Sequence, residues 1–229
     1  MKLSILVPCY NEEQTIIKIL ERLQRIDKKK IEIEIIVIND CSIDQTFKLL
    51  EENKQLYNIL LNNSKNSGKG FSVKRGMQEA SGEYILFQDA DLEYDVNDIT
   101  KFINLIIKFK PDMIIGSRFN YSEYTRSHNF FNKIGNIVIT NLFNILYNTT
   151  FTDIYCCYLC FKKNLFNTKD LKTHGWENQA EILAKIVKAG SKFYEVPVNY
   201  DGRTMEEGKK IRFYHIFKVI STIIKERIL

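Results

Sequence analysis

The chain is sparing with the residues that break, cross-link or metallate a fold. Among 229 residues there are 3 prolines and 10 glycines, too few for long linkers or low-complexity tails. The 3 histidines (His128, His174 and His215) do not pair at metal-ligand spacing. Five cysteines make an odd set, three of them close together at Cys156, Cys157 and Cys160, and no CxxC pair is matched by a second at zinc-site spacing. That pattern reads as reduced thiols in a cytosolic protein. Gly-x-Ser-x-Gly is missing, so a hydrolase triad has no foothold. There is no run of about 18 uninterrupted apolar residues, so no membrane span is expected. The N-terminus enters a strand at once without a basic lead, so no signal peptide is expected. Against 28 acidic residues stand 33 basic ones, a net charge of +5, which suits phosphorylated small molecules or anionic lipid surfaces and is too mild to argue for nucleic acid. At roughly 150 residues per domain, the length allows one large domain or one with a small appendage.

What is present alternates. Lys2 to Pro8, Glu34 to Ile38, Tyr57 to Leu61, Tyr84 to Gln88 and Asp112 to Gly116 are short, apolar and rich in β-branched or aromatic residues, and each reads as a strand. Between them the apolar residues recur at helical spacing. Ile16, Ile17, Ile19, Leu20 and Leu23 mark a helix running to about Lys28, with Asn11 as its expected N-cap. Further helices are expected from about Gln45 to Glu52, up to about Ala80, and over Ile99 to Lys108. Strands alternating with helices imply an α/β fold, with a mainly parallel sheet and right-handed crossovers. Ligands of such sheets collect at the carboxyl ends of the strands. The polar turns after Pro8, Ile38, Gln88 and Gly116 all lie at that edge. In the second half, Phe130 to Tyr147 has helical spacing, Lys192 to Pro197 reads as one more strand, and Arg212 to Arg227 as an amphipathic helix.

Five segments carry candidate chemistry. Asp89-Ala90-Asp91 follows an apolar strand, and two carboxylates at a strand end can hold a hard divalent cation or merely cap the next helix. Asn39 to Asp44 follows another strand: Ser42 and Asp44 suffice for helix capping, whereas Asp40 suits a nucleobase or ribose. Asn66-Ser67-Gly68-Lys69-Gly70 offers close backbone approach and a cation for phosphate, or a plain flexible loop; it lacks the spacing of an ATPase phosphate loop. Gly116-Ser117-Arg118 offers a bidentate phosphate contact or a salt bridge. Asp201 to Lys210 is basic and glycine-containing, suited to closing over a phosphorylated ligand or to simple solvation.

In this order, these segments resemble glycosyltransferase family 2. Val7 to Glu12 is similar to that family's VPxYNE. Glu34 to Asp44 is similar to EIIVVDDGSxD, with Asn39 for the first Asp and Cys41 for the Gly. Asn66 to Gly76 is similar to NxGKGxAxRxG, and Asp89-Ala90-Asp91 to the metal motif. Gly116 to Phe119, Phe151 to Asp153, Gly175 to Leu183, Glu195 to Arg203 and Glu206 to Ile211 are similar to the dolichyl- or polyprenyl-phosphate hexosyltransferase branch. The resemblance implies a GT-A fold: a Rossmann-like, mainly parallel sheet flanked by helices over residues 1–211, split near residue 118 into nucleotide-sugar and acceptor halves. A C-terminal amphipathic helix over 212–229 would complete it.

The same resemblance implies inverting transfer of mannose or glucose from a sugar nucleotide of the GDP-mannose or UDP-glucose type to a polyprenyl or dolichyl phosphate, with Mg²⁺ or Mn²⁺. It implies that Pro8, Tyr10, Glu12, Asp40 and Lys69 contact the nucleotide, that Asp89 serves ribose or metal and Asp91 the metal, and that Glu93 is a third metal contact. Arg118 would hold the acceptor phosphate, and Arg203 and Lys209 the donor or acceptor phosphates. Asn132, Asn136 and the run Ile154 to Cys157 depart from the relatives' residues, which leaves the acceptor open. If the acceptor is instead a glycan hydroxyl, as in cell-surface polysaccharide synthesis, a base is needed; Asp153 is then the candidate and Glu181 the reserve, unless both are structural, as a helix cap or a salt bridge. A lipid acceptor implies a protein peripheral on the cytoplasmic face of a membrane. Phe130 to Tyr147 and the C-terminal helix would lie in the interface, or pack on the sheet or on a second subunit, and docking would rest on this chain alone, a homodimer or a separate membrane partner.

Overall fold

The computed structural model describes residues 1–27, 31–120, 122–126, 130–203 and 215–229. Among them, seven strands make one sheet: β1 (Lys2–Cys9), β2 (Glu32–Asn39), β3 (Ile59–Asn62), β4 (Tyr84–Phe87), β5 (Met113–Ser117), β6 (Leu159–Lys162) and β7 (Phe193–Pro197). Their order is β3-β2-β1-β4-β6-β5-β7. β1 pairs in parallel with β2 and β4, β2 with β3, and β5 with β7; only β6 runs antiparallel, wedged between β4 and β5. β1, β2, β4 and β5 are almost wholly buried, as expected of strands covered on both faces. The expected mainly parallel α/β sheet is present.

The helices are α1 (Ile16–Gln24), α2 (Thr46–Glu52), α3 (Lys69–Glu79), α4 (Ile99–Phe109), α5 (Phe130–Tyr147), α6 (Asn178–Ala189) and α7 (His215–Ile228). α1 buries Ile16, Ile19, Leu20 and Leu23, and α4 buries Ile99, Phe102, Ile103 and Ile106; both sets follow the i, i+3, i+4, i+7 rule. Neither β6 nor α6 was anticipated. β6 is four residues long, and its Cys160 lies fully buried at mid-sheet, where it acts as a small apolar side chain.

Asn11 is not the N-cap of α1. It sits at φ 53°, and its Oδ1 accepts a hydrogen bond from Ile43 N at 2.9 Å, tying the β1 and β2 loops together; the helix begins at Ile16. α7 packs on α5 and α6: Tyr147 donates to the Ile223 carbonyl at 3.0 Å, and Lys185 pairs with Glu226 at 3.0 Å. Among the described residues, no helix is long and apolar enough to cross a membrane.

Candidate active site

The carboxyl ends of β1, β2, β4 and β5 lie at one edge, and there the backbone leaves ordinary geometry. Asn11, Cys41 and Leu92, on the loops after β1, β2 and β4, have φ of 53°, 58° and 65°. Left-handed backbone at non-glycine residues costs energy and turns each loop sharply over the sheet edge. A cavity of about 1100 Å³ opens at this edge. Pro8, Tyr10, Glu12, Asp40, Lys69, Asp89, Asp91, Glu93, Arg118 and Arg203 all line it. Ten of the residues expected at the site, scattered over nearly 200 positions of chain, therefore meet at one void.

The eight charged residues among them are held by identifiable partners. Asp40 Oδ1 accepts from Asn63 Nδ2 at 2.6 Å and from Ser67 N at 3.0 Å, and its Oδ2 accepts from Gly68 N at 2.8 Å. It thereby clamps the loop ahead of α3. Gly68 has φ 90°, a conformation that favours glycine. Gly70 serves a different close approach from the one expected. A Cβ there would come within 2.7 Å of the His174 carbonyl carbon and of Asn178 Cβ, so its bareness lets the loop pack on the segment leading into α6. Lys69, the first residue of α3, reaches Asp89 Oδ1 at 2.5 Å, and its Nζ lies 5.5 Å from the centre of the Trp176 ring. Burial disfavours its charge, but Asp89, Cys157 and Asp91 together outweigh this and hold the ammonium's proton affinity above its ordinary range.

Asp91 Oδ2 accepts from Arg203 Nη2 at 2.9 Å, and its Oδ1 from Glu93 N at 3.2 Å. Burial, then the neighbouring Asp89 and Glu93 charges, push its carboxyl up to about 7 despite Arg203. Four carboxylates (Glu12, Asp89, Asp91 and Glu93) thus share two cations, Lys69 and Arg203. Hard oxygen donors short of counter-charge are a donor set that fits Mg²⁺ or Mn²⁺, which typically bind one or two carboxylates together with substrate phosphates. Asp89 and Asp91 are the pair that fits. Glu93 does not fit the expected third metal contact: its Oε1 accepts from Arg203 N and Nε at 3.2 and 3.1 Å, and its Oε2 from Tyr200 Oη at 2.7 Å. Among the described residues no group of three or more His, Cys, Asp or Glu side chains converges on a metal position.

Arg118 and Asp153 form a buried pair. Arg118 Nε and Nη2 donate to the two carboxylate oxygens at 2.7 and 2.9 Å, and Arg118 N adds a third bond at 3.1 Å. Asn136 Nδ2 and Tyr155 N also donate to Asp153 Oδ1. Burial raises the proton affinity of Asp153, but Arg118 and these bonds outweigh it and hold the carboxyl below its ordinary range. With 0% exposure, and not among the cavity-lining residues, Asp153 is not placed to take a substrate proton. Of the two readings open to it, base or salt bridge, its geometry matches the salt bridge, with Arg118 as partner. Glu181 is likewise fully buried and accepts from Lys172 N, Thr173 N and Thr173 Oγ1. Lys209 lies outside the described residues.

Sequence reasoning found only part of the far wall: Asn132, Asn136 and the run Ile154 to Cys157 were read toward the acceptor and Gly175 to Leu183 toward the family, but the apolar helix residues were not. Ile134, Val138 and Ile139 of α5 and Ile216 and Val219 of α7 line the same cavity, as do Tyr155 and Trp176. Trp176 is the one tryptophan of the chain and directly follows Gly175, which was a usable signal. The helix residues gave none, because their period is the same whether they face core or ligand.

The model of the family described as "Glycosyl transferase family 2" matches residues 4–168. The chain belongs to that family. It is 28% identical to the dolichol-phosphate mannosyltransferase of Pyrococcus furiosus, over 96% of this chain and 64% of that enzyme. It is also 28% identical to the poly(ribitol-phosphate) beta-N-acetylglucosaminyltransferase TarS of Staphylococcus aureus, over 98% of this chain and 40% of that one. The chain thus spans less than two thirds of the length of either relative. Among solved structures, glucosyl-3-phosphoglycerate synthase from Mycobacterium tuberculosis, in complex with Mn²⁺, uridine-diphosphate and phosphoglyceric acid, superposes with a TM-score of 0.72 at 14% identity, covering 99% of this chain and 78% of that one. At that identity the likeness concerns the fold, and the expected GT-A architecture is borne out. The hexosyltransferase resemblance read from the second half is matched by the archaeal mannosyltransferase among the relatives.

Proposed function

We propose that this family 2 glycosyltransferase moves a hexose, mannose or glucose, from a nucleoside-diphosphate sugar to a polyprenyl or dolichyl phosphate, with inversion at the anomeric carbon. The observation that carries this reading is the make-up of the cavity at the sheet edge. It joins a carboxylate-and-cation end at β1, β2 and β4 to Arg118 beside an apolar wall from α5 and α7. A sugar nucleotide matches the first end and a phosphate on a long hydrocarbon matches the second.

Pro8, Tyr10, Glu12, Asp40 and Lys69 would contact the nucleotide. Asp89 and Asp91 would hold Mg²⁺ or Mn²⁺, which when bound supplies Lewis-acid stabilisation of the departing diphosphate. Arg203 adds fixed positive charge beside them. Arg118 orients the acceptor phosphate: Nε and Nη2 are committed to Asp153, while Nη1 makes no hydrogen bond among the described residues. An oxygen of that phosphate, already anionic near neutral pH, attacks the anomeric carbon as its bond to the diphosphate oxygen breaks.

No general base is needed for such an acceptor. This agrees with the burial of Asp153 and Glu181, and it disfavours the alternative of a glycan hydroxyl, which requires one. A lipid acceptor also calls for a membrane surface. Phe130, Phe131 and Ile145 of α5, and Phe217 and Ile228 of α7, are well exposed, which supports peripheral docking on the cytoplasmic face, alone or with a second subunit or membrane partner. The test is a panel of radiolabelled sugar nucleotides with Mn²⁺ and polyprenyl phosphate. Label is expected in the organic phase with one donor; label that stays water-soluble with every donor overturns the lipid acceptor.

A further inference from the structure

Tyr200 stands between the two arginines of the cavity. Its backbone is pinned on both sides: it bridges Tyr94 and Thr125, its carbonyl accepts from Arg126 N at 2.9 Å, and the adjacent Asn199 N donates to the buried Asp98 Oδ2 at 2.6 Å. Its ring is packed against the Tyr94 ring, with centroids 4.8 Å apart, and the Arg118 guanidinium lies 5.2 Å from its centroid. Its hydroxyl donates to Glu93 Oε2 at 2.7 Å. The other oxygen of Glu93 holds Arg203 through two bonds, and Arg203 in turn touches Asp91 at 2.9 Å. Gly202 leaves room for this arrangement, since a Cβ there would lie 2.6 to 2.8 Å from the Tyr200 ring edge and hydroxyl.

A carboxylate accepting from two sides has far less freedom than one held from a single side, so the hydroxyl restricts where Glu93, and through it Arg203, can stand. The ring face does the same for Arg118 by cation–π attraction. We propose that Tyr200 is a positioning residue that fixes the two phosphate-facing arginines relative to each other, Arg203 through the hydroxyl and Glu93, and Arg118 through the ring. For catalysis this rests on the transfer reaction proposed above. For the placement of Arg203 it rests on this geometry alone.

Tyr200→Phe separates the two parts, because it keeps the ring and deletes the hydroxyl. In the ligand-free protein, modification of Arg203 by phenylglyoxal, followed by peptide mass spectrometry, is expected to quicken about tenfold, the scale of one charge-assisted hydrogen bond, with Arg118 unchanged. In turnover, kcat/KM for the sugar nucleotide is expected to fall about tenfold while KM for the lipid phosphate stays within twofold; Tyr200→Leu should raise the latter as well. Glu93→Gln breaks the same link from the other side and serves if Tyr200→Phe does not fold. The double variant should be no worse than the poorer single one. An Arg203 modification rate equal to wild type in a folded Tyr200→Phe, or effects of the two variants that simply add, overturns the proposal. Faster modification of Arg203 in a protein that transfers no sugar from any donor upholds the anchor and overturns the transferase reading instead.

Discussion

Replacing Asp153 by Asn separates structure from catalysis most sharply. Asp153 is fully buried and accepts five hydrogen bonds, three of them from Arg118. Asparagine keeps the shape but loses the charge, and one of its two polar ends becomes a donor facing donors. Arg118, with a side chain only 14% exposed, would be left as an uncompensated cation. Removing one partner of a buried pair costs about 3–5 kcal/mol, a large share of the roughly 5–15 kcal/mol that holds a domain together. With a urea m-value of about 2 kcal/mol/M, the unfolding midpoint followed by circular dichroism should fall by about 1.5–2.5 M.

The pH dependence should change with it. The folded carboxyl titrates below its unfolded value, so its stabilisation is present above about pH 4 and is lost as pH falls through the lower folded value. The variant should lack that acid limb. Arg118→Met added to Asp153→Asn should recover much of the loss, since a neutral buried pair no longer strands a charge. Activity of the single variant should fall in step with folding and with acceptor binding. An unchanged midpoint together with a rate lowered more than a hundredfold would refute this reasoning and restore Asp153 as a base.

Three further outcomes are expected. Because the Asp91 carboxyl is pushed up to about 7 by burial and by Asp89 and Glu93, protons compete with cations below that pH; Mn²⁺ affinity measured by calorimetry should rise about tenfold from pH 6 to pH 8, and Asp91→Asn should abolish the rise. Gly70→Ala drives a Cβ into the His174 backbone and Asn178, costing about 1–3 kcal/mol; thermal unfolding should drop by several degrees, and nucleotide affinity should fall with it as Lys69 shifts. Cys41 holds φ 58° where the family's motif has glycine, so Cys41→Gly should relieve up to about 1 kcal/mol and raise the melting temperature by about 2 °C, with lower stability as the contrary result.

The parts of the site that could be read in advance are those whose cause is local. Asp89 and Asp91 stand out because they interrupt an apolar run at the point where a four-residue strand must end. Gly68, Lys69 and Gly70 stand out as a glycine-flanked cation at a helix start. α5 was read to its observed ends, since apolar residues recur at helical spacing over eighteen positions despite the interrupting Asn132, Lys133, Asn136, Asn141 and Asn144. Asn11 was misread because an Asn ahead of a helix looks like a cap, whereas its partner, Ile43, lies on another loop.

The alternation of strands and helices over the first half, the mainly parallel character of the sheet and the edge at which ligands gather were legible in the amino-acid sequence alone, since side-chain periodicity and backbone sterics act between near neighbours in the chain. The insertion of β6 against the run of the sheet, the capture of Arg118 by Asp153, the grip of Glu93 and Tyr200 on Arg203, and the merging of α5 and α7 into one apolar wall were decided only by tertiary structure. Those contacts join residues 35 or more positions apart. Which carboxylate meets which arginine depends on where desolvation leaves a charge in need of a partner, and no spacing along the chain records that.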